Sequence, residues 1–211
     1  MSSMETTTEA RPVRRMTAGG RRRQLLEVTK EMVGTRGFHA VTIEAVARAA
    51  GVSRPVVYEH FGDLRGLLEA LVDLISTTAL AQLARVLPTQ IAGREPRGVL
   101  LGALRGYLEV AQADPVTWRL VLMPAEGAPR SAAEKISTGR SQVVAQLAEA
   151  VAPGFVGEGR VPDPELTARA LVTVADEMVR LVLAQPEAYP IDRVLAHASW
   201  MLARFDLQVQ E

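Results

Sequence analysis

Few side chains in this 211-residue sequence could do chemistry, and they are unevenly placed. The three histidines, His39, His60 and His197, stand far apart, and no His-Glu-x-x-His, glycine-rich phosphate loop or Gly-x-Ser-x-Gly elbow surrounds any of them. There is no cysteine, which removes thiolate nucleophiles, thiolate metal sites and disulfides. No catalytic residue, metal site or cofactor is expected, and an enzyme is the least supported reading. Hydrogen-bond donors, by contrast, concentrate in Ser-Arg-Pro-Val-Val-Tyr-Glu-His, residues 53–60. At the tip of a helix, Arg54 can bond guanine O6 and N7, Val56 can meet a thymine methyl, and Tyr58 and His60 can reach phosphate oxygens. Simple packing within a helix is the competing reading of Tyr58 and His60.

Those donors need a scaffold. Apolar Leu25, Leu26, Val28, Met32 and Val33 recur at helical spacing from Gly20 to a stop at Gly37. Thr42 caps a short helix, Ile43 to Ala50, ended by Gly51; small Ala47 allows a second short helix to cross it closely. That second helix has two possible starts. With Ser53 as cap, Pro55 is its second residue; with Arg54 as cap, Pro55 is its first, a position proline favours. It ends near Phe61, and Asp63 caps a longer helix running toward Leu87. The arrangement predicts a helix-turn-helix that offers Arg54, Pro55 and Val56 outward, with Arg22, Thr42, Arg48 and Ser53 as flanking contacts to DNA.

The charge agrees with that partner. Net charge is zero, yet residues 1–70 hold 11 Lys and Arg against 8 Asp and Glu, and the remainder 13 against 16. A basic head on a neutral body suits a polyanion, although a solvated tail would read the same way. Residues 1–19 lack periodicity and are expected to be a disordered basic arm; 20–66 form the helix-turn-helix domain and 67–211 a ligand-binding and dimerisation domain. With aromatics at 4% and Ala, Leu, Val, Glu and Arg dominant, the fold is expected to be all-α. No signal peptide or membrane span is read, and a cytoplasmic location is expected.

Turn-rich punctuation beyond Pro88 predicts helices near 96–113, 115–123, 131–151, 164–184 and 190–206. In the fourth of these, Glu165, Asp176, Arg169 and Arg180 fall on one narrow strip and the rest is apolar almost all round. Burial on two sides follows, one of them against a second copy, unless the helix is simply central. Val174, Met178 and Leu181, with Trp200 and Ala203 of the last helix, are the expected dimer contacts. Gly98, Gly102 and Gly106 recur every four residues, for close helix packing or to leave room for a ligand. Leu104, Tyr107, Trp118 and Met123 are candidate pocket residues for a hydrophobic effector, with Arg119 and Glu177 as polar handles.

The run from Arg22 to Leu68, with its Gly-Phe, Thr-Ile, Ala-Gly-Val-Ser, Tyr-x-His-Phe and Leu-Leu, resembles the DNA-binding domain of TetR-type transcriptional regulators. The resemblance implies an all-helical homodimer with a C-terminal effector domain, usually a repressor released from a palindromic operator by a small molecule. A ligand-independent regulator, or an activator, is the alternative. Leu64 stands where members commonly carry a phosphate-gripping lysine, so Arg65 is the candidate substitute. Pro55-Val56 stands where Gly-Thr is frequent, so base preference does not transfer.

Overall fold

The computed structural model describes residues 16–91, 95–123, 126–153 and 161–205. In chain order these form α1 (Ala18–Arg36), a 3₁₀ turn (Phe38–Ala40), α2 (Ile43–Ala50), α3 (Arg54–Phe61), α4 (Leu64–Leu83), α5 (Pro96–Ala113), α6 (Pro115–Leu122), α7 (Arg130–Val151), α8 (Pro164–Ala184) and α9 (Ile191–Phe205). No strand occurs among the described residues, and the fold is all-α.

Local chemistry sets the helix ends. Thr17, Thr42, Asp63, Asp114 and Asp163 accept backbone N–H groups at the starts of α1, α2, α4, α6 and α8, and Glu95 does so for α5. Two boundaries differ from expectation. Thr17 takes the Gly20 N–H at 3.1 Å, so α1 starts at Ala18 and the last two residues expected in the arm are helical. Residues 1–15 of that arm lie outside the described residues. Helix α4 stops at Leu83 rather than running to Leu87: the Arg85 and Val86 N–H groups turn to carbonyls three residues back, Gln82 at 3.2 Å and Leu83 at 3.0 Å, and the chain tightens ahead of Pro88.

Two apolar cores result. The first gathers Leu25, Val46, Val57, Leu67, Leu71 and Ile75 from α1 to α4; the second is built around Leu108, Trp118, Val151, Val179 and Val182. Helix α4 belongs to both, with Ala79 and Leu83 in the second core, so a boundary at residue 66 falls within its first turn. This double burial accounts for its hydropathy: α4 is the one described helix long and apolar enough to cross a membrane, and its apolar residues pack on α1, α6 and α7. Helix α6 also touches both cores. Its Val116 lies so close to Gly34 of α1 that a methyl group there would come within 2.7 Å.

Candidate nucleic-acid interface and effector cavity

Gly51 adopts φ +67°, a left-handed conformation that glycine reaches without strain, and turns α2 into α3; the Val52 N–H closes the turn on the Ala47 carbonyl at 2.9 Å. Val46, Ala47 and Val57 are buried beneath the crossing. Val57 anchors α3 on one face, so that Arg54, Pro55, Tyr58 and Glu59 stand in solvent on the other; Tyr58 is 50% exposed. Ser53 holds the cap position and Arg54 is the first helical residue, but the Ser53 hydroxyl makes no cap bond. Its carbonyl takes the Val56 N–H at 3.1 Å, while Pro55 has no N–H to place. The Ser53 hydroxyl is therefore left outward beside Arg54. Val56 and His60 are half-buried.

The surrounding arginines are less free than the sequence suggests. Arg22 donates to the His60 carbonyl at 3.0 Å and lies 4.4 Å over the Phe61 ring, clamping α1 to the end of α3. Arg48 pairs with Glu44 at 3.1 Å, and Arg65 with Glu69 at 2.8 Å; the hydrogen bond and charge of Glu69 hold the Arg65 guanidinium still more firmly protonated than usual. Arg54 has no ion pair among the described residues. Thr42 is exposed, its hydroxyl bonded to the Ala45 N–H at 3.0 Å.

In the second core, a cavity of about 690 Å³ lies among α5, α7, α8, α9 and the turn after α4. Helices α8 and α9 both pack on α5 and scarcely touch each other, which leaves the space between them. Its walls are apolar, from Leu100, Leu104, Leu171, Val174, Met178 and Met201, with Arg97, Tyr107, Thr167 and Asp176 as the polar lining. A smaller cavity of about 70 Å³ adjoins it and shares Tyr107 and Asp176. There Asp176, buried, accepts the Tyr107 hydroxyl at 2.9 Å and pairs with Arg140. Burial first, then the Asp176 charge and hydrogen bond, push the Tyr107 phenol far above its ordinary value.

From that point polar and aromatic contacts lead to the first domain. The rings of Tyr107 and Trp118 meet edge to face at 4.8 Å, and the Trp118 indole donates to Gln82 at 2.7 Å. Gln82 donates to Asp114 at 3.5 Å, and Asp114 holds Lys30 of α1 at 2.8 Å.

The structure sorts the expected pocket residues. Leu104 and Tyr107 line the large cavity, and Trp118 lines only the small one. Arg119, Met123 and Glu177 line neither. Arg119 is drawn to the Leu183 carbonyl at 3.1 Å, one of the acceptors left open at the end of α8. Met123 is half-buried beside the core, and Glu177, about 100° around the helix from inward Asp176, faces solvent and pairs with Arg180 at 2.9 Å. Sequence reasoning missed Gln82, Arg97, Asp114 and Arg140, and set Asp176 on an outer strip. The spacing of Val172, Asp176 and Val179, i, i+4 and i+7, carried the signal for its inward aspect.

Of the glycine row, Gly106 packs on Val86, where an added methyl would meet Cγ1 at 2.7 Å; Gly102 faces open space, and none of the three lines a cavity. Among the expected dimer contacts, Val174 and Trp200 are exposed at 46% and 56%, Leu181 and Ala203 are half-buried, and Met178 is buried in its own subunit's core. Met178 lines the cavity, sharing the inward face of α8 with Val182. No group of three or more His, Asp or Glu that could hold a metal occurs among the described residues.

Comparison with known proteins bears on both sites. Residues 25–71 match the family model described as bacterial regulatory proteins, tetR family. The HTH-type transcriptional regulator BetI of Pectobacterium carotovorum is 35% identical over 102 residues, 46% of this chain and 51% of that protein. The HTH-type transcriptional activator FasR of Mycolicibacterium smegmatis is 28% identical over 131 residues, 57% of this chain and 58% of that protein. The chain thus spans about half the length of the curated relatives it matches. Among solved structures, a TetR-like transcriptional regulator from Rhodococcus superposes with TM-score 0.71 at 21% identity, covering 92% of this chain and all of that one. SmeT, the repressor of a Stenotrophomonas maltophilia multidrug efflux pump, superposes with TM-score 0.64 at 20% identity over 85% of this chain and 87% of its own, and a SmeT complex with triclosan has also been solved. Residues 25–71 thus match the tetR-family domain, and over the rest of its length the chain is similar in fold to TetR-like structures.

Proposed function

We propose that the chain is a homodimeric, ligand-responsive transcriptional repressor. Residues 20–66 would dock on duplex DNA and 67–211 would hold the effector and the partner. The observation that carries this reading is the exposed tip of α3: Arg54, with no ion pair among the described residues, and Tyr58 stand in solvent on a helix whose reverse face is fixed by buried Val57. Arg54 is the base-reading residue, with Pro55 and Val56 beside it; Ser53, Tyr58 and His60 serve the phosphates, joined by Thr42, Arg48 and Arg65 at the flanks.

The large cavity supports effector binding, with Leu104 and Tyr107 as ligand contacts. An effector that fits better when α6 has shifted would pull Lys30 and α1 with it and change the spacing of the two recognition helices. A hundredfold loss of DNA affinity needs about 2.7 kcal/mol of such coupling. Exposed Val174 and Trp200, with Leu181 and Ala203, support an interface made by α8 and α9.

The test is selection of bound fragments from random DNA. An inverted repeat whose binding falls with Arg54→Ala, together with a dimer in ultracentrifugation that Trp200→Glu dissociates, supports the reading; no enriched repeat refutes it. Similarity to the activator FasR favours a second reading, positive control from the same site, and a reporter driven from the recovered repeat separates the two by sign.

A further inference from the structure

The large cavity is unequal in charge along its length, and that inequality says what its occupant must look like. Its α5 wall runs from Pro96 and Arg97 through Leu100, Leu101 and Leu104 to Tyr107. At 1.5 Å per residue, the ten steps from Arg97 to Tyr107 span about 15 Å. Between these ends the α5 wall is aliphatic, so an apolar surface separates Arg97 from Tyr107.

The Tyr107 end is internally satisfied. The Tyr107 hydroxyl donates to Asp176, Arg140 pairs with the same carboxylate, and Lys135 at the adjoining small cavity pairs with Asp73. Among the described residues, each cation there is already matched by a carboxylate, so that end offers no spare positive charge to an anion. The other end is different. Arg97 is the one cation lining the large cavity; it is half-buried, and its guanidinium has a single described acceptor, the Ser199 hydroxyl of α9 at 2.6 Å. Glu95, the nearest carboxylate in sequence, is occupied with the backbone N–H groups of Arg97 and Gly98 at the start of α5. A guanidinium has five N–H donors in a planar fork, which suits a carboxylate better than a hydroxyl.

Resting on the reading of this cavity as the effector site, we propose that it takes a linear amphipath with one carboxylate head, an aliphatic acid of medium chain length. The head is held by Arg97 and Ser199, and the alkyl chain lies along α5 toward Tyr107. One fixed positive charge matches one negative charge, the aliphatic walls match the chain, and Arg97 sets the direction, because the Arg140 charge at the far end is already taken by Asp176.

Calorimetric titration of the full chain with decanoate, decan-1-ol and decyltrimethylammonium, without DNA, tests this. Decanoate should bind at least about tenfold more tightly than the alcohol, the difference expected of one charge-assisted contact. Arg97→Gln should abolish that difference by weakening decanoate far more than the alcohol, and Arg97→Lys should keep most of it. Equal binding of acid and alcohol, a preference that survives Arg97→Gln, tighter binding of the ammonium, or no binding of decanoate would each overturn the proposal. Since no DNA is present, any of these leaves the operator reading standing; that reading fails separately if no repeat is selected from random DNA.

Discussion

Lys30 of α1 reaches both carboxylate oxygens of Asp114, at 2.8 and 2.9 Å, across the junction between the two cores. Asp114 is also the cap of α6, accepting the Thr117 N–H at 3.4 Å, so one side chain starts the helix beneath the cavity and grips the first helix of the DNA-binding domain. Burial alone would raise its carboxyl, but the hydrogen bonds from Lys30 and Thr117 and the Lys30 charge outweigh that and hold it below the ordinary carboxylate value.

Asp114→Asn should therefore lower stability by roughly 2 kcal/mol at neutral pH, since it removes a mostly buried partner from Lys30. A carboxyl lowered on folding stabilises above its unfolded value and ceases to do so as pH falls through the folded one. The gap between wild type and variant in urea denaturation should thus be full at neutral pH and close below about pH 4. A gap independent of pH would mean that the pair contributes nothing through its charge.

Tyr107 gives the opposite slope. Its phenol is raised on folding, so its contribution is complete below the unfolded value and declines as pH rises beyond it. Above about pH 10 the unfolded chain releases that proton and the folded one keeps it, so stability should fall by up to about 1.4 kcal/mol per pH unit from this group. In Tyr107→Phe that component should vanish, measured as the difference between the two alkaline denaturation curves.

Two glycines four residues apart on α5 should respond with opposite sign. Gly102→Ala meets nothing within 4 Å and should stabilise by about 0.5–1 kcal/mol through helix propensity. Gly106→Ala would press on Val86 at 2.7 Å and should destabilise by about 1–3 kcal/mol. Equilibrium unfolding of the two variants checks both.

On a selected operator, Arg54→Ala should cost about 1–3 kcal/mol and relax preference at its base pair, as a base-edge contact does. Arg22→Ala acts elsewhere: it frees the His60 carbonyl and the Phe61 ring, and should lower the melting temperature of the first core while weakening all sequences alike. Electrophoretic shifts on matched and mismatched duplexes separate the two effects.

The helix-turn-helix was legible because its signals are local. Thr42, Gly51, Gly62 and Asp63 each act on backbone within four residues, and the helix boundaries beyond Pro88 follow the same kind of punctuation. The cavity was only half legible, because its polar centre is assembled from α5, α7 and α8, and no spacing within one helix announces that Arg140 will meet Asp176. Asp176 shares an angular strip with Glu165 and Arg169, yet α8 has neighbours over its middle that it lacks at its start, so one strip passes from solvent to core. Arg119 and Glu177 are engaged elsewhere for a related reason: a charged side chain can be satisfied by a carbonyl at a helix end or by a neighbour one turn away, and sequence does not distinguish these from a ligand.

Arg48 and Arg65 each lean on a glutamate four residues away on the same helix. Under the proposed function, a phosphate arriving at either would compete with a carboxylate, and the released Glu44 or Glu69 would stand beside the duplex as a repelling charge. Both costs fall on every sequence equally, whereas the gain at Arg54 comes only where the right base pair lies beneath it. On the proposed docking of this face, the glutamates would act as a brake on adhesion to arbitrary DNA, shortening each futile stop during the search for a matching site.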